Sequence, residues 1–223
     1  MNSARSRYRG HRFPPEIIGY AVWVYHRFCL SFRDLEDLLA ERGISVSYEA
    51  IRQWCWKFGP DYARRLKKKQ GRLGDTWYLD ELFVRINGRQ QYLWRAVDRD
   101  GDVIDILLQS RRDQRAAERF LRRLLRGQGK QPCRIITDKL KSYGAASRTI
   151  LPDVTHDTQQ YANNRVEQHH TRMSERQRRR FKSPRQAQQF LSAHGIIITD
   201  LFRVGRHLST KPAPLYLKIS GTW

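Results

Sequence analysis

Residues 76–86, Thr-Trp-Tyr-Leu-Asp-Glu-Leu-Phe-Val-Arg-Ile, constrain the fold of this chain more than any other stretch. Trp, Tyr, Phe, Val and Ile dominate the segment, so it reads as a β-strand. Two carboxylates, Asp80 and Glu81, interrupt it in the middle. A strand interior disfavours Asp, and a buried charge without a partner costs several kcal/mol. Successive side chains alternate faces, so only one of the two acids points inward. Leu82, Val84 and Ile86 share parity with Asp80. If theirs is the buried face, Asp80 needs a partner, and a metal ion would serve. The alternative is an edge strand with both acids in water.

Further strands follow. Asn87-Gly88 is a strong hairpin signal. Residues 91–97 and 103–108 then read as two more antiparallel strands, joined through Asp98-Arg99-Asp100-Gly101. An amphipathic helix is expected over 113–126, with Ala116, Ala117, Phe120, Leu121, Leu124 and Leu125 inward and Gly127 and Gly129 at its end. Residues 133–138 form a short apolar strand ending on Asp138. A short helix bearing Tyr143, a fifth strand near 154–158, a helix from about Arg165 and a last helix from Ser183-Pro184 complete the series. Three antiparallel strands, helix, strand, helix, short strand, helix is the order of an α/β, RNase-H-like domain: a mixed sheet flanked by helices.

The preceding residues are helical. Phe13-Pro14-Pro15-Glu16 opens one helix with Pro in its first turn. Ser31 with Asp34 caps a second, and Ser47 caps a third, with Val46 and Ile51 spaced as a hydrophobic staple. Ile51, Cys55 and Phe58 face inward; Tyr48, Glu49, Arg52, Gln53 and Lys57 face out. Helix, short Gly-containing turn and a helix with a basic, amide-bearing outer face form a helix-turn-helix pattern. Any helical bundle with a solvated face would share it. The expected layout is a basic arm (1–12), a helix-turn-helix domain (13–58), a basic linker (59–75), the catalytic domain (76–202) and a C-terminal tail (203–223).

Charge selects the partner. Lys and Arg number 43 against 22 acids, a net charge of +21. Such an excess points to a polyanion, and nucleic acid is the usual one. Lys67, Lys68 and Lys69 in the linker, and the dense run with Arg176 and Arg179, are expected to follow phosphates. The three cysteines are scattered without CxxC spacing, which argues for a reducing compartment and against a zinc site. No apolar run approaches membrane-spanning length, and the basic N-terminus lacks the apolar segment of a signal peptide. A cytoplasmic, nucleoid-associated protein is expected.

Three acids stand where an RNase-H-like sheet would gather them: Asp80 in the first strand, Asp138 at the end of the fourth and Glu167 in the first turn of a later helix. Oxygen ligands without Cys or His select Mg²⁺ or Mn²⁺. Two such ions about 3.5–4 Å apart can clamp both oxygens of an in-line phosphoryl transfer.

The segments Trp77-Tyr78-Leu79-Asp80-Glu81, Tyr92-Leu93-Trp94-Arg95-Ala96-Val97-Asp98, Thr137-Asp138-Lys139 and Tyr161-Ala162-Asn163-Asn164-Arg165-Val166-Glu167-Gln168 resemble the signature segments of bacterial DDE insertion-sequence transposases. The nearest likeness is to the cointegrate-forming insertion-sequence-six family, and it spans almost the whole chain. It implies an RNase-H-like core, Asp80, Asp138 and Glu167 as catalytic and metal-binding triad, and double-stranded DNA as partner, both terminal inverted repeats and target. It also implies Lys139 and Arg172 beside the DNA, and a homodimer or larger assembly on it. The interval from Asp138 to Glu167 is shorter than the family's, and Ser174 stands where the family tends to carry Lys or Arg. A non-catalytic DNA-binding relative and a stand-alone metal-dependent nuclease are the other readings.

Overall fold

A computed structural model describes residues 7–69, 73–138, 140–158 and 181–206. The chain divides into two compact units, one of residues 1–71 with 193–223, the other of residues 72–192.

The first unit is helical. Helices α1 (Pro15–Phe28), α2 (Phe32–Ala40) and α3 (Tyr48–Lys69) turn apolar stripes inward. Ile18, Val22, Leu35, Leu39 and Ile51 are fully buried. A reciprocal capping box opens α2, with Asp34 N donating to Ser31 Oγ at 3.0 Å and Ser31 N donating to Asp34 at 2.9 Å.

The helix α3 is longer than its sequence suggests, because residues 59–69, expected in a linker, are helical. Tyr62, Ala63 and Leu66 are buried and continue the stripe of Ile51, Cys55 and Phe58 at helical spacing. That apolar run outweighs Pro60, whose ring removes one backbone bond. Gly59 is a packing residue rather than a break. A Cβ there would sit 2.9 Å from the ring of buried His26. His194, on the last helix α6 (Pro184–Arg206), is also buried in this unit, and its Nδ1 bonds the His26 carbonyl at 2.6 Å. Since α6 continues to Arg206, the expected tail begins in helix.

The second unit is a five-stranded sheet in the order β3-β2-β1-β4-β5. Its strands are β1 (Thr76–Ile86), β2 (Arg89–Asp98), β3 (Val103–Gln109), β4 (Arg134–Ile136) and β5 (Thr155–Asp157). β1, β2 and β3 form an antiparallel meander; β4 and β5 run parallel to β1. With helices α4 (Gln114–Gln128) and α5 (Lys141–Ile150), this is the RNase-H-like arrangement. Asn87 (φ 49°) and Gly88 (φ 76°) make the tight β1–β2 turn.

The main core lies between the sheet and two helices. Trp77 and Leu79 of β1, and Trp94 and Ala96 of β2, pack with Ala117, Phe120, Leu121 and Leu124 of α4 and Tyr143 and Ala146 of α5. This corrects the expected parity. The helix-packed face of β1 carries Trp77, Leu79 and Glu81, not Asp80. Tyr78, Val84 and Ile86 on the other face are buried as well. A sheet covered on both faces loses the alternation that would have told them apart.

Candidate active site

Asp80 and Asp138 come from neighbouring parallel strands. The β1–β4 ladder pairs Thr76 with Arg134, Trp77 with Ile135 and Tyr78 with Ile136. Asp80 and Asp138 each lie two residues beyond that last pair, Asp80 within β1 and Asp138 in the segment that follows β4. Asp138 Oδ1 accepts the Leu140 N–H at 3.1 Å, and the buried Thr137 hydroxyl donates to the Asp138 carbonyl at 2.7 Å. These bonds hold the chain where it leaves β4.

The two adjacent acids of β1 have separate counter-ions. Asp80 lies opposite Arg95 of β2, and Arg95 Nη2 is 3.5 Å from Asp80 Oδ2. Arg95 is 1% exposed, and burial pushes its pKa down to about 10, against the pull of Asp80. The partner that Asp80 requires is therefore an arginine from the next strand. Glu81 is 6% exposed and is met by Arg112, from the loop between β3 and α4. Arg112 Nε donates to Glu81 Oε1 at 2.6 Å, and Nη2 contacts the same oxygen. Burial pushes the Glu81 carboxyl up to about 7; Arg112 opposes this, and Asp138 and Asp80 add to it. Arg112 Nη2 is also 3.7 Å from Asp138 Oδ2. The Tyr143 phenol rises well above its ordinary value, first through burial and then through Glu81, Asp80 and Asp138. Three carboxylates thus act on one buried hydroxyl.

These oxygens suit a hard divalent cation: carboxylates only, one within β1 and one just past the end of the adjoining β4, with no thiolate or imidazole. Among the described residues no group of three metal-ligating side chains occurs. The third expected acid, Glu167, lies outside the described residues, as do Lys139, Arg172, Arg176 and Arg179.

A second charged surface lies on α3. Tyr48, Arg52, Gln53 and Lys57 are exposed, as expected, while Ile51, Cys55 and Phe58 are buried. Arg52 already has a partner. It donates to both oxygens of Glu49, at 2.8 and 2.6 Å, and Gln53 donates to Glu49 at 3.3 Å. Arg52 first, then Gln53, draw the exposed Glu49 carboxyl down to about 2. Lys57 Nζ lies 3.0 Å from His11 Nε2. Lys67 and Lys68 are in the helical continuation of α3, and so is the backbone of Lys69. Besides Arg95, two residues of interest escape sequence reasoning. Trp56, 44% exposed, shares the outward spacing of Gln53, which the sequence does display. Arg112 had no such signal, because its loop position is silent about Glu81.

Comparison with known proteins shows the family of the chain. The family described as a DDE domain matches residues 74–202. The transposase for insertion sequence-like element IS431mec of Staphylococcus aureus is 34% identical over 178 residues, covering 77% of this chain and 79% of the relative. The transposase for insertion sequence element IS257 in transposon Tn4003, also from Staphylococcus aureus, is 34% identical with the same coverage. Among solved structures, the catalytic domain of Mos1 mariner transposase is similar with a TM-score of 0.46, 15% identity, and coverage of 74% of this chain and 91% of that one. The family match and the identity to full-length relatives define a DDE polynucleotidyl transferase. The chain belongs to the bacterial DDE insertion-sequence transposases, in the insertion-sequence-six family.

Proposed function

We propose that this transposase binds the terminal inverted repeats of its element through the outward face of α3. It then cleaves and joins DNA strands by in-line phosphoryl transfer at Asp80, Asp138 and Glu167. The observation that carries the reading is that Asp80 and Asp138 each lie two residues beyond the last pair of the parallel β1–β4 ladder. Arg95 and Arg112 offset part of their charge, and a divalent cation between the two acids would offset the rest. Asp80, Asp138 and Glu167 would hold one or two Mg²⁺ or Mn²⁺ ions, whose chemistry is to activate a water or 3′-hydroxyl and stabilise the departing oxyanion. The chain's own residues do the rest. Arg95 pairs with the Asp80 side chain, and the Leu140 N–H and Thr137 hold Asp138. On α3, Arg52 can bond guanine edges and Gln53 adenine edges, while Tyr48, Lys57, Lys67, Lys68 and Lys69 meet phosphates. Lys139, Arg172, Arg176 and Arg179 extend this contact toward terminal-repeat and target DNA, with two or more copies assembled on it. No described helix is long and apolar enough to cross a membrane.

The test is strand transfer by the full chain with its own terminal repeats and Mg²⁺ or Mn²⁺. Joined products that need the metal and the repeats are expected. Metal-independent product, or equal reaction on scrambled ends, would overturn the reading.

A further inference from the structure

Glu81 is a buried carboxylate that the reaction above does not use. Its side chain is 1% exposed, against 32% for that of Arg112. Replacing such a pair by apolar residues is often neutral or stabilising, so stability alone does not account for it. What the pair does achieve is to fix a guanidinium. Arg112 spends Nε–H and one Nη2–H on a single oxygen of Glu81. Its Cζ lies 5.3 Å from the centroid of the Phe83 ring, which is 55% exposed and braced edge-on by Tyr92 at 5.6 Å. The same Nη2 is 3.7 Å from Asp138, beyond hydrogen-bonding distance but within ion-pair reach. The guanidinium is thus anchored on one side by a buried acid, backed by an aromatic ring and partly open to solvent beside a strand-end acid.

We propose that Arg112 binds the phosphate on which the reaction takes place, with Glu81 as its positioning residue. A guanidinium offers five N–H donors, and its fork matches two phosphate oxygens. In the DNA-free protein Arg112 supplies part of the counter-charge of Asp138. When DNA arrives, the phosphate takes over the donors directed toward Asp138, while Glu81 keeps its own two. The inference rests on Asp80 and Asp138 being the cleavage centre.

The experiment is a cycle between the side chain and the phosphate. Terminal-repeat duplexes carry either the natural scissile phosphate or an uncharged methylphosphonate there, and binding to the full chain is measured with Ca²⁺ as the only divalent ion. Removing the charge should weaken the parent about tenfold to a hundredfold, the range of a hydrogen bond to a charged group. Arg112→Gln should lose about threefold or less from the same change. A methylphosphonate several linkages away should affect both proteins equally. Arg112→Lys keeps the charge without the fork and should fall between them. It also carries the cycle if Arg112→Gln does not fold. Glu81→Gln should reduce the coupling while leaving discrimination between repeat and scrambled DNA intact. Equal losses in parent and variants at the scissile linkage would overturn the assignment of Arg112. A parent that does not prefer repeat DNA would instead remove the proposed function, and this inference with it.

Discussion

The outward face of α3 and the centre of the sheet both carry Arg–carboxylate pairs, but they handle charge in opposite ways. Glu49 and Arg52 are 44% and 52% exposed and sit in water on one helical turn. Such a pair is screened by water and salt and can exchange partners freely. Asp80 with Arg95, and Glu81 with Arg112, each contain one side chain that is 1% exposed. Removing one member of a buried pair leaves a charge stranded, a loss of about 3–5 kcal/mol. The helix presents charges that can move onto a ligand. The sheet holds charges whose positions are fixed before any ligand arrives.

The strongest way to break this comparison is to neutralise the acids proposed for the reaction. Asp80→Asn, Asp138→Asn and Glu167→Gln should each reduce strand transfer to background while circular dichroism and repeat binding stay intact. Strand transfer by any of the three at the parental rate would remove that acid from the site.

Salt should separate the two regions next. If DNA binding uses six to ten phosphate contacts, affinity should fall about 10³–10⁵-fold between 50 and 200 mM salt. The melting temperature should hardly move, because buried pairs are poorly screened. A flat affinity curve would contradict the role of the basic surface.

Arg95→Met tests the sheet directly. It strands Asp80, and urea denaturation should show a loss of about 3–5 kcal/mol. A loss below about 1 kcal/mol would show that the pair behaves like a surface one. Arg52→Ala tests the helix. It should leave the urea midpoint almost unchanged yet remove about 1–3 kcal/mol of discrimination between repeat and scrambled DNA. Equal weakening on both DNAs would make Arg52 a phosphate contact only.

The smallest effect concerns acid. Glu49 has its folded pKa lowered to about 2 from an ordinary 4.5. Its contribution is therefore complete above pH 4.5 and is lost as pH falls toward 2. Carboxyl NMR should find the Glu49 midpoint near 2 in the parent and back in the ordinary range in Arg52→Ala. An unchanged midpoint would mean that the pair does not persist in solution.

Much of this was legible in the residues themselves. Thr76–Ile86 is a strand from end to end, Asn87-Gly88 turns it, and Ser31 with Asp34 caps α2, because each signal is local. Asp113 caps α4 and Gly129 ends it for the same reason. Two errors arose where long-range packing decided. Gly59-Pro60 looks like a break, yet Gly59 faces His26 from another helix and the helix continues. The parity of β1 looked one-sided because nothing local shows that both faces are covered. Strand order did show that the strands leading to Asp80 and Asp138 are neighbours. Arg95 and Arg112 were not legible, since what assigns each arginine to its acid is cross-strand register and loop position.

The lengths of the strands that carry the two acids have a further consequence. Asp80 is borne by β1, paired with β2 from Trp77 to Ile86. Asp138 follows β4, which has three residues and is paired with β1 and β5 over those three alone. Protection from hydrogen exchange follows how much structure must open to free an amide. Amides at the middle of β1 should exchange only with global unfolding, whereas those of β4 and β5 should exchange through smaller openings. Of the two acids proposed for the reaction, one would then belong to the last part of the domain to open and the other to an early one. Whatever bridges the two acids would slow exchange in β4 far more than in β1.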